Sequence, residues 1–210
     1  MIDSKIKIRS EQVEGSEEKK VFIEGYAAVF NQKSKLIFED GKLFYEIIKP
    51  NAFDEVLKDE HLNVRAVVDH DNSKLLARTK SGTLTLSVDE YGLKYSILLP
   101  DTNLGEDIAK MVERGDIFES SFKYFTRKGD DRFERDENGD LIHIVERVSA
   151  LYDVSLVVDG AFANTNMSVV KRSLKELEAK EQAERERKEA IRKELTKQRE
   201  YLMKLRNYEA

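Results

Sequence analysis

Apolar and polar residues alternate with a period near two in several stretches of the first 160 positions, the spacing of strands with one buried face. "VFIEGYAAVF" (21–30), "KLFYEIIKP" (42–50) and "HLNVRAVVDH" (61–70) are short runs of β-branched and aromatic residues bounded by Gly, Asn, Asp and Pro, and they read as strands. "SGTLTLSVDEYGLKYSILLP" (81–100) alternates on both sides of "DEYG", which predicts a hairpin. "FTRKGDDRFERDENGDLIHIVERV" (125–148) predicts a second hairpin turning at "ENGD", and "ALYDVSLVV" (150–158) a further strand.

The period lengthens to that of a helix in three places. In "PNAFDEVLKD" (50–59), Asn51 is placed to cap a helix whose Phe53, Val56 and Leu57 share a face. In "DTNLGEDIAKMVERGDI" (101–117), Ile108, Met111 and Val112 form an apolar stripe, acids lie early and Gly115 supplies a stop. From Lys171 onward there is neither Pro nor Gly and strong helix formers abound, so a long charged helix is expected. Leu174, Leu177, Ile191, Leu195, Leu202 and Leu205 keep heptad register, but Glu181, Glu184 and Lys188 interrupt it. Partner docking or a weak coiled coil at the two ends fits that pattern, and so does a solvated tail. The division expected is a β-rich domain over residues 1–170 and a charged helical tail over 171–210.

Composition narrows the function. Charged residues make up 37% of the 210, and the excess gathers after residue 170 rather than forming a basic groove. With a net charge of -5, attraction to nucleic acid or anionic lipid is not expected. There is no cysteine, which removes disulfides, thiolate nucleophiles and cysteine-based zinc sites, and leaves His61, His70 and His143 as the imidazoles. No apolar run suits a signal peptide or reaches the roughly 18 residues of a spanning helix, so a cytoplasmic setting is expected.

Three places carry candidate chemistry. Alternation through "DIFESSFKY" (116–124) puts Phe118, Ser120, Phe122 and Tyr124 on one face, and Ile117, Glu119, Ser121 and Lys123 on the other. Ser121 thus faces the more polar side, where a hydroxyl meets substrate, although serines that merely fill space fit the spacing equally. His70 ends a strand between Asp69 and Asp71, which suits a general base, a surface histidine or part of a weak metal site. Asp153 shares a face with Leu151, Ser155 and Val157 in an apolar strand, where an acid needs a partner. An imidazolium that it orients would be one partner, and a Lys or Arg of the sheet another.

Several segments, taken in order, resemble the prohead proteases of tailed bacteriophages, serine peptidases that look like distant relatives of the herpesvirus assembly proteases. They are "GYAAVFN" (25–31), "EIIKPNAFDEVL" (46–57), "VVDHDNSKLLARTKSGTLTLSVDEYGLKYSILLPDT" (67–102), "ERGDIFESSFKY" (113–124) and "LYDVSLVVDGAFANT" (151–165). The resemblance implies an α+β fold, a mainly antiparallel β-barrel-like core surrounded by helices. It also implies Ser121 as nucleophile, His70 as general base and Asp153, where the family more often shows Glu, as the orienting acid. His143 is the rival for the third place, because the herpesvirus relatives use a second histidine there. Glu119 and Lys123 stand where small glycines are usual beside the nucleophile, Ala77 replaces the glycine of an "LLGRT"-like segment, and the proline of the usual ending is absent. Arg78 is a candidate oxyanion donor.

The activity so implied is acyl transfer without cofactor or metal, directed at the scaffolding segment of the major capsid protein and at the protease itself. It would take place inside the assembling prohead in the host bacterial cytoplasm, with no direct nucleic-acid or membrane partner. Relatives often form dimers, and the charged helix offers a surface for a homo-oligomer, for targeting to scaffold, or for removal by self-cleavage. Two other classes stay open on the residues: a capsid-assembly scaffold that kept the fold without turnover, and a metal-dependent hydrolase built on Asp69, His70 and Asp71.

Overall fold

Alternating runs that each bury one face must stack sheets against one another, and the chain does so with three. The computed structural model describes residues 6–12, 19–39, 41–158 and 167–208. The strands are β1 (Lys7–Gln12), β2 (Lys19–Val29), β3 (Ile37–Glu39), β4 (Lys42–Ile48), β5 (Arg65–Val68), β6 (Asp71–Arg78), β7 (Leu84–Val88), β8 (Gly92–Leu98), β9 (Glu119–Phe125), β10 (Asp131–Arg135), β11 (Leu141–Val145) and β12 (Ala150–Val157). Helix α1 spans Asn103–Arg114 and α2 spans Met167–Tyr208. The strands form three four-stranded sheets ordered β1-β2-β8-β7, β10-β11-β4-β3 and β6-β5-β12-β9. The fold is therefore α+β, as expected, but each sheet keeps two edge strands and no closed barrel forms among the described residues. Pairing is mostly antiparallel; β11 with β4 and β12 with β5 run parallel.

Both predicted hairpins form, β7–β8 and β10–β11. The helix expected over 50–59 does not: the segment is a series of turns ending in one 3-10 turn, Val56–Lys58. Hydrogen bonds from Ala52 N to Lys49 O and from Asp54 N to Asn51 O reach back three residues, so Asn51 closes a turn instead of capping a helix. Ten residues barely repay helix nucleation, and the full burial of Ala52 and Phe53 anchors the segment to the core.

α1 matches its signals. Thr102 caps it by accepting from Gly105 N, and Gly115 ends it at φ 81°. Ile108 and Val112 are buried, whereas Met111 of the expected stripe is 41% exposed. A side chain at Gly105 would put its Cβ 2.1 Å from Pro100 O, so the first turn of α1 packs on backbone that only glycine allows. The helix then feeds directly into β9.

The main core gathers Ile23, Phe30, Phe53, Leu93, Tyr95, Phe122, Val154 and Leu156 between the sheets. A second, smaller cluster consists of Ile37, Phe44, Phe133 and Leu174, with Leu177 against it. The base of α2 is thus docked on the β10-β11-β4-β3 sheet, and pairs from Lys42 to Glu178 and from Arg135 to Glu181 flank the contact. Farther along, Ile191 and Leu195 are 52% and 54% exposed, and i,i+4 pairs such as Glu184–Lys188 lace the surface. The side chains of Leu202 and Leu205 lie outside the described residues. The expected division at 170/171 falls inside α2.

Candidate active site

The site is built on the β6-β5-β12-β9 sheet. Val68 pairs with Asp71, which leaves Asp69 and His70 as a two-residue hairpin turn between β5 and β6. Both have positive φ, 50° and 55°, the pattern of a type I′ turn, which normally selects Asn-Gly or Asp-Gly. A side chain at the second position is disfavoured, and two hydrogen bonds to β12 hold the turn in place. Asp69 N donates to Leu156 O at 3.0 Å, and His70 N donates to Ser155 Oγ at 2.8 Å. The Ser155 hydroxyl in turn donates to Val67 O at 3.3 Å.

β12 lies between β5 and β9, so it can reach both the histidine and the serines. Its register places Ser155 opposite Ser121 and Asp153 opposite Lys123. A bulge at Tyr152 shifts the pairing between Leu151 and Asp153. Strict alternation had put Leu151 on the face of Asp153; the bulge returns Leu151 to the core cluster with Val154 and Leu156 and turns Asp153 away from it.

The three candidate side chains converge from these strands. Asp153 Oδ1 lies 2.6 Å from His70 Nδ1, and Ser121 Oγ lies 2.9 Å from His70 Nε2. Asp153 is 1% exposed and Ser121 5%, so both contacts are shielded from bulk water. A carboxylate only accepts, so Nδ1 keeps its proton and donates it in a hydrogen bond to Asp153, which leaves the Nε2 lone pair aimed at the Ser121 hydroxyl. Such a chain of groups can draw a proton from the hydroxyl and stabilise the imidazolium that results.

The neighbouring candidates are engaged elsewhere. Ser120 Oγ is 2.6 Å from the hydroxyl of Tyr95, on the core side of β9. Phe118, expected on that face, precedes β9 and is 56% exposed. His143 is wholly buried, with Nδ1 3.0 Å from Glu46 Oε2 and Nε2 3.0 Å from Asp131 Oδ2. Its ring stacks on Phe133 at 4.5 Å, and Tyr124 donates to the same Glu46 oxygen at 2.5 Å. Burial pulls the His143 pKa down, but the hydrogen bonds and charges of Asp131 and Glu46 outweigh it and push the group up to about 9. Both ring nitrogens are occupied, and neither partner is His70.

Asp71 accepts from the backbone and hydroxyl of Ser73, which hold its carboxyl below the ordinary range. Among the described residues no three His, Cys, Asp or Glu side chains are grouped to hold a metal ion. Arg78, the oxyanion candidate, lies on β6, with two strands between it and β9. The residue that sequence reasoning missed is Ser155: alternation placed it on the face of Asp153, but only the register shows its hydroxyl under His70.

No helix among the described residues is long and apolar enough to cross a membrane. No curated protein and no solved structure matches the chain. Residues 4–180 match the family model described as caudovirus prohead serine protease, a stretch that includes every strand and the whole Ser121–His70–Asp153 arrangement, and the chain belongs to that family.

Proposed function

We propose that the protein is a serine endopeptidase of capsid maturation in which Ser121 is the nucleophile, His70 the general base and Asp153 the orienting acid. The observation that carries this reading is the continuous hydrogen-bonded path from Ser121 Oγ through both nitrogens of His70 to Asp153. As Ser121 Oγ attacks a peptide carbonyl, its proton passes to His70 Nε2. The tetrahedral intermediate collapses, the leaving amine takes that proton, and an ester to Ser121 remains. Water then attacks the ester with His70 again accepting the proton; the bond from the acyl carbon to Ser121 Oγ breaks, Oγ takes the proton back from His70 Nε2, and the second product leaves as a carboxylic acid.

The substrates in this reading are the scaffolding segment of the capsid protein and the protease itself, cut inside the immature shell; the kinship with herpesvirus assembly proteases belongs to the same proposal. The distal part of α2, with Ile191 and Leu195 exposed, is the targeting or self-association surface. The test is processing of co-expressed capsid protein by wild type, Ser121→Ala and Ser120→Ala. Wild type and Ser120→Ala are expected to trim it and Ser121→Ala to leave it intact. Trimming by Ser121→Ala would overturn the assignment, and no trimming by any form would favour a scaffold without turnover.

A further inference from the structure

The sheet that carries the site has one face in the core, where Ala66, Ala77, Phe122 and Val154 pack. The opposite face carries Ser121 and Asp153. Across it, paired positions form one row: Arg78 opposite Arg65, Arg65 opposite Asp153, and Asp153 opposite Lys123. The row therefore holds three cations and one acid, and that acid is bonded to His70.

Arg65, Arg78 and Lys123 are each half-buried, and none has an ion pair or side-chain hydrogen bond among the described residues. The Nε of Arg78 is buried with no hydrogen-bond partner. On the other side of Ser121, Glu119 on the same face is paired with Lys35 at 2.7 Å. Like charges on neighbouring strands repel, and a buried guanidinium N–H without an acceptor is unfavourable. An anionic group laid across the row relieves both, and the planar fork of arginine fits a carboxylate.

Position relative to the nucleophile sets the range. Lys123 is two residues from Ser121 on one strand and one face, roughly 7 Å away at the strand rise. Arg65 lies level with Lys123 but two strands across, roughly 12 Å from Ser121 at ordinary strand spacing, and Arg78 is one strand farther, roughly 16 Å away. An extended peptide advances roughly 3.3 Å per residue, so Lys123 and Arg65 stand two to four residues from a bond held at Ser121, and the long Arg78 side chain adjoins them from the far strand. We propose that Lys123, Arg65 and Arg78 form a subsite for an acidic side chain of the substrate, two to four residues from the scissile bond. The inference rests on the peptidase reading for its relation to cleavage, but the binding of acidic peptide does not require turnover.

Two measurements on the full chain test it. In the first, a proteome-derived peptide library is digested and the residues flanking each cut are read by mass spectrometry. Wild type is expected to show Asp or Glu enriched at a fixed position two to four residues from the bond, and Arg65→Gln with Lys123→Gln to reduce the enrichment at least tenfold. In the second, the same library is captured on Ser121→Ala and the retained peptides are sequenced, with Arg65→Gln and Lys123→Gln added singly and together. Acidic peptides are expected to be enriched by Ser121→Ala and lost from the added variants. Thermal unfolding should show no loss of stability in Arg65→Gln, which removes the like-charge neighbour of Arg78, and little in Lys123→Gln, whose ammonium has no ion pair among the described residues. Cuts without acidic preference, or a preference that the substitutions leave unchanged, would overturn the subsite. Acidic capture without cutting would keep the subsite and sink the peptidase reading, and neither capture nor cutting would sink both.

Discussion

Raising the pH from 6 to 10 should unlock a buried ion cluster at His143. The imidazolium lies 3.0 Å from both Glu46 and Asp131 with no solvent exposure, and is held charged up to about pH 9. In the unfolded chain it loses its proton near the ordinary histidine value of about 6.5. The folded value is the higher one, so the contribution is fully present below pH 6.5 and disappears as the pH rises through about 9. At about 1.4 kcal/mol per unit, that gap makes the contribution about 3 kcal/mol. Replacing His143 with Ala would leave two buried carboxylates without their cation, a loss of about 3–5 kcal/mol. Urea unfolding followed by circular dichroism at pH 6, 7.5, 9 and 10 measures both effects. Wild type should weaken between pH 6.5 and 10, and His143→Ala should be weak throughout with most of that slope gone. A flat wild-type profile, or a loss under about 1 kcal/mol in His143→Ala, would refute the reasoning. Retained stability with lost Ser121 reactivity in His143→Ala would return the histidine to its rival place in the relay.

Two further outcomes follow from the same contacts. Ser155→Ala removes the acceptor of His70 N and leaves that half-buried N–H unpaired, which should cost about 1 kcal/mol of stability. It should also lower kcat at least tenfold with KM little changed, while Ser155→Thr, which keeps the hydroxyl, recovers most of the rate; equal rates for Ala and Thr would count against a positioning role. Truncation after Glu181 should spare peptide hydrolysis yet reduce incorporation into proheads, whereas truncation after Val170 removes Leu174 from its cluster and should lower the melting temperature. Equal incorporation of the shorter and full-length chains would remove the targeting role of α2.

Local periodicity made much of this site legible. Alternation put Ser121 and Ser120 on opposite faces, the family resemblance chose between them, and an acid in the apolar strand 150–157 marked Asp153 as a residue in need of a partner. What alternation cannot register is an inserted residue. The bulge at Tyr152 changes faces within one strand, so Leu151 was assigned to the wrong side while Asp153 was assigned correctly. The turn at Asp69–His70 was hidden for a related reason: hairpin turns with two positive φ values advertise themselves through Gly, and here a histidine takes that position. The helix expected at 50–59 had the spacing but lacked the length, and burial of Phe53 settled it as a turn. Pairings between distant strands, such as Asp153 beside Arg65, and the docking of Leu174 on Phe44 and Phe133, exist only in three dimensions.

The relay itself can be tested with a fluorophosphonate that reacts only with an activated serine, followed by peptide mapping of the labelled protein. The account predicts one phosphonyl adduct, on Ser121, formed at least a hundredfold more slowly in His70→Ala than in wild type. Absence of an adduct from folded wild-type protein, or an adduct at Ser120 in its place, would contradict it.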